Sequence, residues 1–262
     1  MKKILVGIFV SAAIFASGYA SAADLPPAPV YAKAPAAPPT YSWTGFYIGG
    51  DIGGAWTGNT ATWDPLPTPG GIAFGVAVIS GNNGGSSAIG GLHTGYNWQF
   101  APTWVAGIEG DWSWSKASGS FAQPWTVIPP AVLGGPSFTT MSSKLDWVTS
   151  LRARFGYLVT PNVLAYATGG MAWAKFDYAA NASGFLYSAT TSLSDTQAGY
   201  AVGGGLEWAI TNNWLLKAEY LYYRFNNAPN VVVTAIGSAN PSGFSWSGTN
   251  VSVARAGLSY KF

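Results

Sequence analysis

From residue 44 to the C-terminus, apolar and polar side chains alternate along short segments with a period of two, which is the period of a β-strand. Along residues 103–115, Trp104 and Trp112 fall on one face, and Glu109 and Asp111 fall on the other. The face that carries the acids cannot lie against lipid, whereas nothing on the opposite face excludes lipid. The pattern therefore predicts strands with one apolar side and one polar side.

The same period recurs along the chain and predicts about eight strands, and no segment shows a helical period. The predicted strands are residues 44–57, 87–99, 104–115, 144–157, 163–178, 196–210, 214–225 and 249–262. The connections alternate between short ones (100–103, 158–162 and 211–213) and long ones (58–86, 116–143, 179–195 and 226–248). This arrangement is typical of an all-β, transmembrane, antiparallel up-and-down barrel, with four long outer loops and three short periplasmic turns.

The composition favours a membrane environment. Only 8% of the residues are charged, against about 25% in ordinary soluble domains. Downstream of the N-terminal segment, no apolar run reaches the roughly 20 residues that a membrane helix needs. A chain that is compatible with lipid but lacks helical spans favours the other spanning structure, a closed barrel.

The N-terminal residues have the features of a secretory signal. Lys2 and Lys3 precede an apolar stretch over residues 4–14, and Ala-Ser-Ala at residues 20–22 provides a cleavage site. We therefore predict a cleaved signal peptide at residues 1–22. Losing these two lysines lowers Lys+Arg from 12 to 10, against 10 Asp+Glu. A formally neutral mature chain has no basic footprint for nucleic acid.

Residues 23–42 are rich in Pro and Ala, so they are predicted to form an extended linker in the periplasm. The predicted barrel then occupies residues 43–262. This organisation locates the protein in the outer membrane of a Gram-negative cell. A soluble, lipocalin-like carrier is disfavoured, because its polar and apolar faces would be the inverse of those predicted here.

Aromatic residues on the predicted lipid face form two rings, separated by eight to ten residues along the strands. At about 3.3 Å per residue and a tilt of about 40°, ten residues span roughly 25 Å, the height of the apolar band. Such rings are typical of anchoring at both membrane interfaces. The ring near the short turns comprises Phe46, Trp98, Trp104, Phe155, Tyr166, Trp208, Trp214 and Phe262, and the other comprises Trp56, Trp112, Trp147, Phe176, Tyr200 and Tyr222.

The chain ends in an alternating strand with a terminal aromatic residue, in which Leu258, Tyr260 and Phe262 share the lipid face. This ending resembles that of outer-membrane proteins in general, whose last strand ends in Phe. The resemblance implies that these three residues are a signal for the barrel-assembly machinery.

Four further motifs, at residues 41–50, 169–173, 217–223 and 255–258, resemble small outer-membrane porin-family proteins of the surface-immunogen kind. Together they cover nearly all of the mature chain. The family is similar to the membrane domain of OmpA-type proteins. Because this chain ends with the barrel, no peptidoglycan-binding domain is expected after it.

The predicted inward faces collect nearly all ionisable side chains, so we expect a charge network in the lumen. Its acids are Asp51, Glu109, Asp111, Asp146, Asp177, Glu207 and Glu219, and its bases are Lys144, Arg152, Arg154, Lys175, Lys217, Arg255 and Lys261. His93, Asn97, Gln99 and Gln197 add polar groups. An interior of eight strands is just wide enough for side chains to fill. The network is therefore either a plug or the filter of a narrow pore for small solutes.

No catalytic, cofactor or metal site is expected. His93 is the only histidine, and although Asp51 on a neighbouring strand could orient it as a general base, a lone interior histidine more often belongs to a network. The chain has no cysteine, which excludes a thiolate nucleophile or ligand. Gly-Asn-Asn-Gly-Gly at residues 81–85 has no lysine and no following helix, so it is read as a loop tip rather than a phosphate cradle.

Two functions stay open at this stage. The first is a structural role in the envelope, with or without a narrow pore. The second is surface binding or adhesion through the long outer loops, where recognition usually lies on rigid scaffolds. The partners expected are outer-membrane lipids, the barrel-assembly machinery and small solutes or surface ligands, and the chain is expected to be a monomer.

Overall fold

A computed structural model describes residues 41–65, 78–125, 137–184, 187–234, 236 and 241–262. The chain divides into two units, Met1–Pro38 and Pro39–Phe262, and all described residues belong to the second. The predicted signal peptide and most of the predicted linker lie outside the described residues. Within the described ranges, no helix is long and apolar enough to cross a membrane.

The described residues form thirteen strands, which confirms the prediction of an all-β antiparallel fold. They are β1 (Gly45–Gly58), β2 (Thr60–Asp64), β3 (Ile79–Asn82), β4 (Gly85–Ala101), β5 (Trp104–Ser115), β6 (Ser118–Trp125), β7 (Ser137–Thr160), β8 (Val163–Gly184), β9 (Tyr187–Ala209), β10 (Trp214–Phe225), β11 (Asn230–Thr234), β12 (Pro241–Trp246) and β13 (Thr249–Lys261).

Eight of these strands form a closed circuit of antiparallel pairs. The order is β1, β4, β5, β7, β8, β9, β10 and β13, and β13 pairs back with β1. We call these eight the ring strands. Each has a partner on both sides, so that the ring leaves no free edge along the paired residues.

The other five strands lie in connections that the sequence analysis assigned to loops. β11, β12, β2 and β3 form a second sheet in that order, and β6 pairs with the start of β7. β7, β8 and β9 are also longer than predicted, because β8 and β9 continue as a hairpin through most of residues 179–195. The described parts of the long connections are therefore largely β-structure.

The first and last strands meet near the N-terminal end of β1. Gly45 has a positive φ of 150°, and a side chain there would lie 2.9 Å from the carbonyl oxygen of Phe262. The backbone N–H of Phe262 donates to the carbonyl of Phe46 at 2.9 Å. Glycine thus allows the chain to enter β1 close against the C-terminus.

A β-bulge at Asp146 reverses the orientation of β7 partway along its length. Leu145 pairs with Phe176, but Trp147 pairs with Lys175, so Asp146 has no partner of its own. Before the bulge, odd-numbered residues such as Leu145 point inward and are buried. After it, even-numbered residues such as Arg152 are buried. One extra residue is enough to exchange the two faces of a strand.

Several predicted orientations are wrong on β7 and β8. Tyr166 and Phe176 were assigned to the lipid face, but both are buried inside the ring. Leu145 is also buried there, although the alternation that turns Lys144 inward would place Leu145 on the lipid face. Phe176 lies inward because β8 alternates without interruption and buries its even-numbered residues. The other members of the two predicted aromatic rings lie on the outward face, with most of them well exposed.

Candidate functional site

The middle of the ring encloses a cluster of ionisable side chains that come from seven of the ring strands. All are buried, although they are the most strongly hydrated kinds of side chain. We call this set the central cluster, and its members are Asp51, His93, Glu109, Asp111, Arg152, Arg154, Glu207, Lys217, Glu219 and Arg255. These residues were all predicted to line the lumen, and the structure brings them into contact.

Glu109 lies at the centre of this cluster. Its Oε1 is 2.7 Å from Nη2 of Arg152 and 3.2 Å from Nζ of Lys217. Its Oε2 accepts from the hydroxyl of Tyr47 at 2.8 Å and lies 3.2 Å from Nη1 of Arg154. One carboxylate therefore joins cations from two different strands, and a carboxylate so placed resists displacement.

Arg255 and Arg152 bind Glu219 from two sides. Arg255 donates from Nε and Nη2 to Oε2 of Glu219 at 2.9 and 2.7 Å, and Arg152 donates from Nη1 to Oε1 at 2.9 Å. Nη1 of Arg255 also reaches Oδ2 of Asp111 at 2.9 Å. The paired geometry of a guanidinium and a carboxylate fixes the direction of each side chain.

Arg154 extends the cluster toward β8 and β9. Its Nη2 donates to Oε2 of Glu207 at 2.7 Å. Its guanidinium carbon lies 3.9 Å from the ring centre of Tyr166, a cation–π contact. The hydroxyl of Tyr166 in turn donates to Oε1 of Glu219 at 3.2 Å. Tyr166 therefore points inward and belongs to the network, so its predicted position on the lipid face is wrong.

His93 lies between Asp51 and Ser259. Nδ1 is 2.7 Å from Oδ2 of Asp51, and Nε2 is 2.7 Å from Oγ of Ser259. The imidazole packs over Gly49, where a β-carbon would come within 2.6 Å of the ring. The order of the three groups is that of an oriented base beside a hydroxyl, but Ser259 is completely buried.

An apolar layer fills the ring on the side of the short turns. Trp43 is completely buried there, and its indole N–H donates to the carbonyl of Pro161 at 3.1 Å. The side chains around it come from β5, β7, β8, β9 and β10, and they are Val105, Leu158, Leu164, Tyr166, Ala209 and Leu215. Residues 41–44 thus cross this end of the ring and close it. We call this the inner layer.

Lys261 belongs to this end and not to the central cluster. Its Nζ donates to the carbonyls of Ser42 and Thr44 at 2.8 and 3.2 Å, and it lies 5.0 Å from the ring centre of Tyr41. Gln99 also holds the segment, because its Oε1 accepts from the backbone N–H of Trp43 at 3.1 Å. Lys261, which was predicted to be a base of the lumen network, therefore holds the N-terminal segment through hydrogen bonds.

The other predicted polar residues and the predicted assembly signal lie at several places on the ring. Asn97 is buried in the interior of β4. Leu258, Tyr260 and Phe262 point outward and are exposed, and Gln197 lies inward near the opposite end, where it donates to the hydroxyl of Tyr178 at 3.1 Å.

A second apolar layer, the outer layer, fills the opposite side of the ring beneath the second sheet. Phe176 and Phe225 meet edge to face at 5.5 Å, and Tyr178 lies 5.1 Å from Trp246 of β12. Trp63 of β2 is also buried in it, and its indole N–H donates to Oγ of Ser242 at 2.6 Å. Sequence reasoning missed this layer because it treated these connections as open loops.

Four residues predicted for the lumen lie on the outward face instead. They are Lys144, Asp146, Lys175 and Asp177, and their side chains are about 40% exposed. The bulge turns Lys144 and Asp146 outward, and the uninterrupted phase of β8 places Lys175 and Asp177 beside them. Their ion pairs are loose, with Lys144 3.8 Å from both carboxylates. The prediction that they line the lumen is wrong.

The described residues include no group of three or more His, Cys, Asp or Glu side chains arranged to hold a metal ion. Within the central cluster the carboxylates are already engaged by guanidinium and ammonium groups. The chemistry that this arrangement supports is the mutual neutralisation of buried charges.

Residues 12–262 match the family model described as "Outer membrane protein beta-barrel domain". The chain is 33% identical over 269 residues to the 31 kDa outer-membrane immunogenic protein of Brucella melitensis, with 100% of both chains covered. It is 30% identical over 185 residues to the 22 kDa outer membrane protein of Rhizobium leguminosarum bv. viciae, covering 70% of this chain and 65% of the relative.

Among solved structures, the chain is similar to Ail, the attachment invasion locus protein of Yersinia pestis. The sequence identity is 17%, the alignment covers 84% of this chain and 99% of that one, and the TM-score is 0.37.

Proposed function

Because the chain belongs to the family of outer membrane protein beta-barrel domains, we propose that its ring strands cross the outer membrane as an eight-stranded barrel with a filled interior. The protein is an outer-membrane protein, as are its named relatives. The proposed role is structural: a closed barrel that adds stable mass to the envelope and holds the second sheet, β11, β12, β2 and β3, at the cell surface. We call this sheet the cap.

The observation that carries this proposal is the continuous filling of the ring. The side chains of Arg152, Glu109 and Glu219 in the central cluster have no exposed surface. Trp43 closes one side of the cluster, and Phe176 and its neighbours close the other. A solute would have to displace two apolar layers and separate buried ion pairs, each of which is costly to break.

The outward surface supports the membrane position. Large apolar side chains such as Ile52, Ile108, Leu151 and Met171 are well exposed between the two levels of aromatic residues. A soluble protein rarely leaves so continuous an apolar belt in water. In a bilayer the same belt is satisfied by lipid chains.

The arrangement of Asp51, His93 and Ser259 is assigned to structure in this proposal. A hydrolytic nucleophile needs access to its substrate, but the side chain of Ser259 points into the filled interior of the ring and is completely buried. Its neighbours are network members, and the imidazole bridges β13 to β1. We therefore propose that His93 holds the side chains of Asp51 and Ser259 in position within the network.

Single-channel recording tests the filled interior. The refolded mature chain, residues 23–262, should give no discrete conductance steps in a planar lipid bilayer, while folding is verified by heat-modifiable gel mobility. Discrete steps from the folded wild-type chain, altered in size by Glu109→Gln, would overturn the filled barrel in favour of a narrow pore.

A second function, surface recognition, is favoured by the cap. The connections outside the ring form a four-stranded sheet rather than loose loops, and Val232 and Ile236 are exposed at its edge region. An ordered surface at the outer end provides a rigid platform for a partner. Replacing the exposed Val232 and Ile236 with serine should weaken cell attachment under this function and leave barrel folding intact; unchanged attachment would exclude it.

A further inference from the structure

Four basic side chains lie outside the ring at the end that carries the second sheet. We call them the basic belt, and they are Lys116, Lys144, Lys175 and Arg224. The described part of the chain has nine lysine and arginine residues in all. Four of the others belong to the central cluster, and Lys261 holds the N-terminal segment. All described bases that point away from the interior are therefore gathered at one level.

The spacing of the belt from the aromatic residues is regular. Lys116 follows Trp114 by two residues, directly after β5 ends, and both are exposed. Lys175 follows Trp173 by two residues on the same face of β8. Two residues of a strand correspond to about 6.6 Å, or about 5 Å of height at a tilt of about 40°. The ammonium groups therefore lie just beyond the aromatic level, where lipid headgroups begin.

Arg224 and Lys144 lie at the same height as Lys116 and Lys175, but each reaches the outward face in a different way. Arg224 follows Tyr222 by two residues on the outward face of β10 and donates from Nε to Asn226 at 2.9 Å. Lys144 reaches the outward face only because of the bulge at Asp146. Bulges commonly re-aim a side chain at functional positions. Without this one, Lys144 would point into the ring.

The lysines of the belt keep hydrogen-bonding capacity for a ligand. Nζ of Lys144 is 3.8 Å from Asp146 and from Asp177, and Nζ of Lys175 is 3.9 Å from Asp146. These distances exceed those of a hydrogen bond, which are about 2.7–3.2 Å. Each ammonium group has three donors, and both side chains are partly open to the surroundings.

The opposite aromatic level has a different chemistry. Its outward side chains include Phe46, Trp104, Trp214 and Phe262, and no base within the described ranges points outward there. The two membrane surfaces would therefore meet different groups on the protein. One surface would meet aromatic rings alone, and the other would meet aromatic rings together with the four bases of the belt and the two acids Asp146 and Asp177.

We infer that the basic belt binds the phosphate groups of lipid headgroups in the outer leaflet. This inference rests on the proposed membrane-spanning function. Ammonium and guanidinium groups recognise phosphate by charge and by several N–H donors. Ser142, Ser192 and Ser194 line an open groove beside Lys144 and Asp177, and such a polar groove suits the sugar groups of a phosphorylated glycolipid.

The test compares two variants that break the same ion pairs in opposite ways. The mature chain is refolded in nanodiscs of neutral lipid that contain a small fraction of a phosphorylated glycolipid, with a chelator present, and retained lipid is counted by native mass spectrometry. The Lys144→Gln/Lys175→Gln variant should retain roughly thirtyfold less of this lipid than the wild type, the factor expected for losing two cations at a membrane surface. The Asp146→Asn/Asp177→Asn variant should retain at least as much as the wild type.

Two results would overturn the inference. Equal loss in both variants would show that the ion pairs matter only for structure, and equal retention of the dephosphorylated glycolipid would show that phosphate is not recognised. Heat-modifiable mobility is measured on every sample. Folded, membrane-inserted variants without lipid preference would refute the belt while leaving the proposed barrel intact, whereas failure of the wild type to insert would refute the barrel.

Discussion

Glu109 and Arg152 face each other directly across the β5–β7 pair, and Nη2 of Arg152 lies 2.7 Å from Oε1 of Glu109. Both side chains are shielded from solvent, so the pair depends on further hydrogen bonds to the carboxylate of Glu109. Lys217, Arg154 and Tyr47 supply those bonds to Glu109. The interior of this barrel is therefore held by a connected network rather than by isolated pairs.

Removing the charge of Glu109 should destabilise the barrel strongly. Glu109→Gln keeps the size of the side chain but leaves Arg152 and Lys217 short of a counter-charge, which should cost about 3–5 kcal/mol. Urea unfolding in lipid vesicles, followed by tryptophan fluorescence, measures the change. Asp177→Asn is the matched control, because it alters only an exposed ion pair with Lys144 and an exposed hydrogen bond from Ser194 and should cost less than about 1 kcal/mol. Similar losses in the two variants would contradict the central cluster.

Truncating Trp43 should loosen the end of the barrel that carries the short turns. Trp43→Ala removes a completely buried indole and its bond to Pro161, so a loss of about 3–5 kcal/mol is expected. Trp98→Leu is the control, since Trp98 faces outward and leucine keeps an apolar contact with lipid. If the unfolding midpoint of Trp43→Ala equalled that of the control, residues 41–44 would not be part of the folded interior.

A lysine on the outward face of β7 should reveal where the bilayer lies. Leu151 is 58% exposed between the aromatic levels, so Leu151→Lys should cost about 2–4 kcal/mol near the midplane. Phe138 is also outward and exposed on the same strand, but it lies beyond the bulge and the belt. Phe138→Lys should therefore cost less than about 1 kcal/mol. Equal costs in vesicles would place the membrane elsewhere.

The bulge at Asp146 gives a test of strand phase. Leu145→Gln places an amide in the outer layer, where Leu145 is almost completely buried, and should cost about 2–4 kcal/mol. Lys144→Gln alters only an outward side chain and should change stability by less than about 0.5 kcal/mol. The simple alternation of the sequence predicts the reverse order, so comparing the two unfolding free energies decides between the two phases.

Alternation was sufficient to predict the ring where each strand keeps one phase. β5, β10 and β13 carry their acids, bases and aromatic residues on the expected faces, and the short turns at 102–103 and 161–162 fall within the predicted connections. The predicted inward and outward faces of β7 are wrong before Asp146, because a bulge adds one residue and nothing in the local sequence indicates it. On β8, Lys175 and Asp177 share a face with Met171 and Trp173, since the strand is longer than the apolar band is high.

The filling of the ring was only partly predictable. The sequence places Glu109, Arg152 and Glu219 on inward faces, but it does not say which acid meets which base, because that depends on the relative register of strands far apart in the chain. The two apolar layers were missed for a similar reason. Trp43 and Trp63 lie in segments that have no clear alternation, and only the closed ring brings them over the central cluster.

The two apolar layers have a consequence for how the molecule responds to dissolved salt. Mobile ions cannot approach the central cluster through layers of packed aromatic and aliphatic side chains, so Debye screening, which extends over about 8–10 Å in physiological buffers, acts mainly from outside. The belt lies in that screened zone and the central cluster does not. Raising the ionic strength therefore weakens the electrostatic interactions of the basic belt, while those of the central cluster keep their strength. The barrel wall thus separates two electrostatic regimes within one small protein.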